Sequence, residues 1–246
     1  MATPPLAILR LCAIVLLTLL LTVLLPVTPT SLRTRTKLTS RFFALLLRCC
    51  GIRVECNLPD AELQRFERAI VVANHVSYLD ILILSTLRPC IFLAKKEVAD
   101  WPLFGWAARA LGCIFVRRES LMGRAHALRE CLRMSPTADI ALFPEGTTTS
   151  SRLPELTAWA RGHAWIALRG QVDAILCLRL SYENHSERAW IDDQSLVPHL
   201  LKTLSEKSVR VAVSGAWVAV HPSAQPAELA INTYENVCMA VSYDSP

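Results

Sequence analysis

Apolar positions are concentrated at the start of the chain. Residues 11–29 (LCAIVLLTLLLTVLLPVTP) carry no charge. At a helical rise of 1.5 Å per residue, such a run is about 28 Å long, close to the roughly 30 Å hydrocarbon thickness of a bilayer. A cleaved signal peptide would have a shorter apolar core and small residues at its cleavage point. Here the run ends in Pro26-Val27-Thr28-Pro29-Thr30, which predicts a retained anchor. A second apolar stretch, Phe42-Phe43-Ala44-Leu45-Leu46-Leu47, is too short to span. It predicts an interfacial helix with Arg41 and Arg48 at headgroup level. A spanning helix and an interfacial helical hairpin both fit this pattern.

From about residue 52 the pattern changes. Short β-branched runs predict buried strands at 69–73, 91–94, 113–116, 140–143, 174–180 and 209–213. Helical spacing of apolar residues predicts helices over 79–87, 120–134 and 156–169, and another beginning after Pro226. Alternating strands and helices define an α/β domain with a mixed, largely parallel sheet flanked by helices. No repeat, low-complexity tract or interdomain linker interrupts it. The division expected is a membrane anchor over residues 1–50 and one domain over 51–246.

Composition narrows the setting. The chain has 246 residues, 52% of them hydrophobic, and a mean hydropathy of +0.35. The 26 Lys and Arg exceed the 21 Asp and Glu by five. That excess suits an anionic membrane surface or substrate and is too small to point to nucleic acid. Arg33, Arg35, Lys37, Arg41 and Arg48 follow the apolar run, whereas Arg10 alone precedes it. This bias predicts that the domain lies on the cytoplasmic side of the membrane. Nine cysteines, an odd number without a CxxC pair or Cys/His ligand spacing, predict buried, reduced core residues and no metal site.

Two motifs at strand ends carry candidate chemistry. The first is Asn74-His75-Val76-Ser77-Tyr78-Leu79-Asp80. Ser77 is a candidate N-cap, which would put Asp80 in the first turn of the following helix. From there its carboxylate can turn back to the His75 imidazole, fixing the tautomer and leaving the other ring nitrogen to take a proton. A His/Asp pair of this kind can deprotonate a substrate hydroxyl directly. A structural histidine held by a nearby acid is the alternative reading of this motif alone. The second motif is Phe143-Pro144-Glu145-Gly146-Thr147. Pro144 lacks an N–H and Gly146 tolerates unusual dihedrals, so the turn can present Glu145 and backbone N–H groups to a ligand. By itself it also reads as an ordinary turn.

Taken together and in this order, the two motifs resemble the signature of the glycerolipid acyltransferase superfamily, in particular its bacterial lysophosphatidic acid acyltransferase (PlsC-type) branch. Gly112-Cys113-Ile114-Phe115-Val116-Arg117-Arg118 matches that family's G-x-x-F-x-x-R block. Ala94-Lys95-Lys96-Glu97 and Trp101-Pro102-Leu103-Phe104-Gly105-Trp106 match its basic pair and following turn. The resemblance implies transfer of a fatty acyl group from acyl-coenzyme A or acyl carrier protein to the free hydroxyl of a lysolipid. The acceptor it implies first is 1-acyl-glycerol-3-phosphate, giving phosphatidic acid; lyso-ornithine lipid is the alternative. It assigns His75 as general base and Asp80 as its orienting partner. Arg118, with Lys95 or Lys96, would hold an anionic headgroup. Glu145 would contact the acceptor, and Gly146 and Thr147 would shape the site. No cofactor or metal is implied. A thioester hydrolase and a non-catalytic membrane protein are the rival readings.

Some positions depart from the family pattern. Cys177 stands where a proline is expected in the strand 174–182, and Ser151-Arg152-Leu153-Pro154-Glu155-Leu156 replaces a basic-aromatic stretch. Residues 189–196 (AWIDDQSL) resemble a stretch of PlsC-type and lyso-ornithine-lipid acyltransferases. Trp159, Trp165 and the histidines at 126, 163, 185, 199 and 221 match no motif and are expected in packing or surface roles.

Overall fold

The computed structural model describes residues 4–27, 31–101, 104–117, 119–161, 172–191, 194–221 and 223–240. The strands are β1 (Ile52–Cys56), β2 (Ala69–Ala73), β3 (Cys90–Lys95), β4 (Ile114–Val116), β5 (Asp139–Leu142), β6 (Ala174–Tyr182) and β7 (Val209–Ala219). The helices are α1 (Pro4–Val27), α2 (Leu32–Cys49), α3 (Asp60–Leu63), α4 (Leu79–Leu87), α5 (Phe104–Ala110), α6 (Leu121–Met134), α7 (Leu156–Arg161), α8 (His185–Arg188), α9 (Leu196–Ser205) and α10 (Pro226–Met239). A 3₁₀ turn covers Lys96–Asp100.

The strands form one sheet in the order β1-β7-β6-β2-β5-β3-β4. Every neighbouring pair is parallel except β6–β7, which is antiparallel. The predicted mixed, largely parallel α/β sheet is therefore present. All six predicted strand segments are strands; β7 runs on to Ala219, and β1 was not among them. At the sheet edge, β1 alternates buried Ile52 with exposed Arg53 and Glu55, so it lacks the apolar run that marks the inner strands. Helices α4, α6 and α10 fall where periodicity placed them. The predicted helix over 156–169 starts at Leu156 as α7, and its remainder after Arg161 lies outside the described residues.

Strand β2 is buried on both faces, and its side chains feed two cores. Val71 and Ala73 face Leu176, Leu178 and Leu180 together with residues of α1, α2, α4 and α9. Ile70 and Val72 face Ile175, Cys177 and Leu142 together with α6, α7 and α10. Each fully buried Val, Leu or Ile contributes about 1.5–3 kcal/mol relative to exposure. Beneath the sheet, Arg88 is fully buried; its Nε donates to Asp139 Oδ2 at 2.7 Å and its Nη1 to the Leu63 carbonyl at 2.6 Å.

Helix α1 belongs to this framework. Ala7, Ile14 and Leu21 recur every seven residues and are buried, whereas Ile8, Leu9, Leu16, Val23 and Val27 on the opposite side are exposed. The helix packs on α2, α5 and α9. By length and composition Pro5–Leu24 could cross a membrane. The second apolar stretch is the C-terminal part of α2, which begins much earlier, at Leu32, capped by Ser31 Oγ accepting the Thr34 N–H at 3.2 Å. It packs on α4. The cysteines are all unpaired, but their burial is uneven: Cys50, Cys90, Cys131 and Cys177 are buried, while Cys12 is exposed on the outer side of α1. The uniform core placement expected for them is corrected on that point: in so apolar a helix, a buried and an exposed cysteine have the same sequence surroundings.

Candidate active site

The site lies at the C-terminal ends of β2, β5 and β6, where a parallel sheet delivers its strand-to-helix connections. Strand β2 ends at Ala73, and its pairing with β6 ends at Leu178. Asn74 then continues the ladder with its side chain. Its Nδ2 donates to the Leu180 carbonyl at 3.0 Å, and its Oδ1 accepts the Leu180 N–H at 2.8 Å. The loop carrying His75 is thus fastened to β6 by a side chain that imitates a strand residue.

Asp80 sits in the first turn of α4, as its spacing predicts, and is fully buried. The N-cap is Tyr78 rather than Ser77. Asp80 itself reaches backward, and its Oδ2 accepts the N–H groups of Val76 at 2.7 Å and Ser77 at 2.8 Å. The same oxygen lies 2.8 Å from His75 Nδ1. A buried carboxylate needs such donors to remain tolerable. A further donor comes from β6: the Tyr182 hydroxyl donates to Asp80 Oδ1 at 2.5 Å. Burial, and then the Asp80 charge, push the Tyr182 phenol well above its usual range, so it stays protonated.

The His75 ring is partly open, with 16% of its side chain exposed. It stacks on Phe143, with centroids 3.8 Å apart and planes within 7°. Nδ1 is committed to Asp80, and Nε2 makes no hydrogen bond to the described residues. A neutral imidazole so held is a proton acceptor at Nε2.

The second motif closes against the first. The Gly146 N–H donates to the Phe143 carbonyl at 3.0 Å, with Gly146 at φ +78°, a conformation that favours glycine. Glu145 turns inward, and its Oε1 accepts the His75 N–H at 3.1 Å. Burial raises its carboxyl to about 7, against the hydrogen bonds from the His75 and Glu155 backbones and with the help of the Asp80 charge. The Thr149 N–H donates to the His75 carbonyl at 2.9 Å. Trp190 adds a third tie: its N–H donates to the Val76 carbonyl at 2.9 Å, and its own carbonyl accepts the Thr148 hydroxyl.

Of the residues singled out in the sequence, His75, Asp80 and Glu145 come together directly. Gly146 shapes the turn, and Thr147 is exposed beside it. Lys95 and Lys96 lie at the end of β3, two strands along from β2, with Lys95 Nζ 3.8 Å from Glu97. Arg118 lies outside the described residues; Arg117, next to it, is exposed beyond β4. Tyr182 and the roles of Asn74 and Phe143 were not read from the sequence. The order in which strands pair brings Tyr182 to Asp80, and a linear pattern does not contain that order.

This geometry accompanies a clear family relationship. The chain belongs to the Acyltransferase family, whose profile matches residues 55–177, half of its length. The chain is similar to the lyso-ornithine lipid O-acyltransferase of Rhizobium meliloti (strain 1021), with 34% identity over 178 residues. That stretch is 66% of this chain and 60% of the relative, so the match spans less than two thirds of the relative's length. The chain is also similar to the 1-acyl-sn-glycerol-3-phosphate acyltransferase of Neisseria gonorrhoeae, 35% identical over 82 residues, 33% of this chain and 32% of that protein. Its fold is that of the crystal structure of the 1-acyl-sn-glycerophosphate (LPA) acyltransferase PlsC from Thermotoga maritima, with a TM-score of 0.64. This likeness covers 93% of this chain and 94% of that one at 18% identity. His75, Asp80 and Glu145 fall inside the profile's range, and Tyr182 falls beyond its end.

Proposed function

We propose that the protein transfers a fatty acyl group from an acyl thioester to the free hydroxyl of a lysolipid, with His75 as general base. The observation that carries this reading is the His75–Asp80 pair, with Nδ1 held by a buried carboxylate and Nε2 left open. The acceptor hydroxyl gives its proton to Nε2 as its oxygen attacks the thioester carbonyl. Asp80 orients the ring and stabilises the imidazolium. When the C–S bond breaks, the imidazolium returns the proton to the leaving thiolate of coenzyme A or acyl carrier protein. The N–H groups of His75, Val76, Ser77, Gly146 and Thr149 already donate within the protein. Those of Thr147 and Thr148, beside the Gly146 turn, are the candidates for the oxyanion of the tetrahedral intermediate. Arg118, with Lys95 and Lys96, would hold an anionic acceptor headgroup.

Glu145 would have a bracing part beside the acceptor contact expected of it. Its carboxylate is engaged with the His75 backbone, so it braces the loop beneath the acceptor. Residues 1–50 would form the membrane-facing part. The exposed apolar side of α1 would meet lipid on the cytoplasmic side of the inner membrane, with Arg41 and Arg48 of α2 near the headgroups. Lyso-ornithine lipid is the acceptor to test first, because similarity to that class extends over 178 residues against 82 for the glycerophosphate class. The basic residues around the end of β4 keep 1-acyl-glycerol-3-phosphate as the second.

The test is acyl transfer from labelled acyl-coenzyme A and acyl carrier protein to both lysolipids, with wild type and His75→Ala in parallel. General-base catalysis supplies about 10²–10⁴ in rate, and His75→Ala should lose a factor in that range. Transfer to neither lipid, or full activity in His75→Ala, would sink the reading. Label released only as free fatty acid would make the protein a hydrolase.

A further inference from the structure

We infer that Tyr182 is a positioning residue for the acyl transfer proposed above, acting through Asp80 on the orientation and hydrogen bonding of His75. The two oxygens of Asp80 have divided duties. Oδ2 takes His75 Nδ1 and the N–H groups of Val76 and Ser77, all contributed by its own loop. Oδ1 takes the Tyr182 hydroxyl, contributed by a strand more than a hundred residues further on. Without that donor the carboxylate is held along one edge only and can rotate about its χ2 bond, which is broad for aspartate. Tyr182 fixes the second edge and so directs Oδ2 at the imidazole.

The placement is built from several elements. β6 extends beyond its pairing with β2, which ends at Leu178, and Asn74 binds Leu180 in the extension. Leu180 and Tyr182 follow on the same face of the strand, and the ring is 2% exposed, inside the core that also holds Leu79 and Val76. A tyrosine with no polar task would leave a buried hydroxyl unsatisfied; this one has a charged acceptor. Its phenol is held protonated by burial and by the neighbouring carboxylate, so its role is donation.

A second consequence is electronic. Donation from Tyr182 draws charge from Asp80 and weakens the carboxylate as an acceptor for His75 Nδ1–H. Removing the hydroxyl should strengthen that one hydrogen bond while loosening its geometry. Packing alone would produce neither change.

The experiment compares full-length wild type, Tyr182→Phe and protein carrying 3-fluorotyrosine at position 182. The fluorinated ring keeps the shape and the hydroxyl and makes the phenol a stronger donor, so a folded variant is available even if the phenylalanine variant is unstable. Two readouts are taken: steady-state acyl transfer, and the His75 Nδ1–H resonance in ¹⁵N-histidine-labelled protein. Loss of a hydrogen bond to a charged group corresponds to about 10–100-fold, expected in kcat with KM for the lysolipid nearly unchanged. The His75 resonance should move downfield with phenylalanine and upfield with 3-fluorotyrosine. Wild-type kcat in folded Tyr182→Phe, or a resonance unmoved in both variants, would overturn the inference. The resonance does not depend on turnover. If wild type transfers to no lysolipid, the assigned function fails while the spectrum still decides the Tyr182–Asp80–His75 linkage.

Discussion

The main-chain N–H of His75 donates to the Glu145 carboxylate at 3.1 Å, joining the two strand-end motifs. Thr149 completes the joint by donating to the His75 carbonyl. Both polar groups of the His75 peptide backbone are therefore satisfied by the loop after β5. The imidazole is placed by β2 and α4, but its backbone is held by the neighbouring strand's turn.

Glu145 makes this joint sensitive to pH. Burial raises its carboxyl from 4.5 to about 7, so the folded state keeps a proton that the unfolded chain releases. The contribution of this group to stability is full below about 4.5, is lost as pH rises to about 7, and is level above. Glu145→Gln keeps an acceptor for the His75 N–H and removes the titration. Urea denaturation should find the variant more stable than wild type at pH 8 and little different at pH 4.5. Glu145→Ala also removes the titration but leaves the N–H unpaired, so it should be about 1–3 kcal/mol less stable than Glu145→Gln at every pH in that range. A constant difference between wild type and Glu145→Gln across that range would show that Glu145 does not titrate there.

Asn74 is the other fastening. Its side chain satisfies both the N–H and the carbonyl of Leu180 and is 2% exposed. Asn74→Ala opens two buried main-chain groups, each worth about 1–3 kcal/mol when left unpaired. The expected result is a clear drop in the urea midpoint together with a fall in kcat, since His75 is the next residue. Loss of stability with unchanged kcat at low temperature would mean that the loop holds its shape without this bridge.

Much of this was legible in the sequence because it is local. The inner strands announce themselves as apolar runs, and the five-residue spacing of His75 and Asp80 places one on a strand end and the other in a first helical turn. What stayed hidden depends on strand order. Tyr182 is one aromatic residue at the end of an apolar strand, and nothing near it marks a polar task. It becomes a partner of Asp80 because β6 pairs with β2, a neighbour distant in sequence. The inward turn of Glu145 was hidden for the same reason, since β5 lies on the other side of β2. The apolar run of α1 gave length and uniform hydrophobicity, and only tertiary packing divides it into a buried stripe and an exposed one.

Arg10 shows how firmly that helix is tied down. Its guanidinium donates to the carbonyls of Leu204 and Lys207, each at 3.0 Å, and to that of Glu206. These are C-terminal carbonyls of α9 and the residues just after it, where a cation is also favoured by the helix dipole. Gly51 makes room for the contact: it has φ +74°, and a Cβ there would stand 2.4 Å from Arg10 Nη2. Arg10→Met and Gly51→Ala should therefore loosen the same joint from opposite sides. Each should speed amide exchange in residues 196–206, by about 10–100-fold for Arg10→Met if the lost hydrogen bonds to a charged group have their usual strength. The double variant should show less than the sum of the two effects, because the second substitution removes a contact already gone. The consequence reaches the site through α9, where His199 Nδ1 lies 3.2 Å from the Tyr78 hydroxyl beside the His75 loop. Exchange should rise at residues 76–79 after α9, and less strongly. Unchanged exchange in α9 would mean that α1 rests on the domain by apolar contact alone.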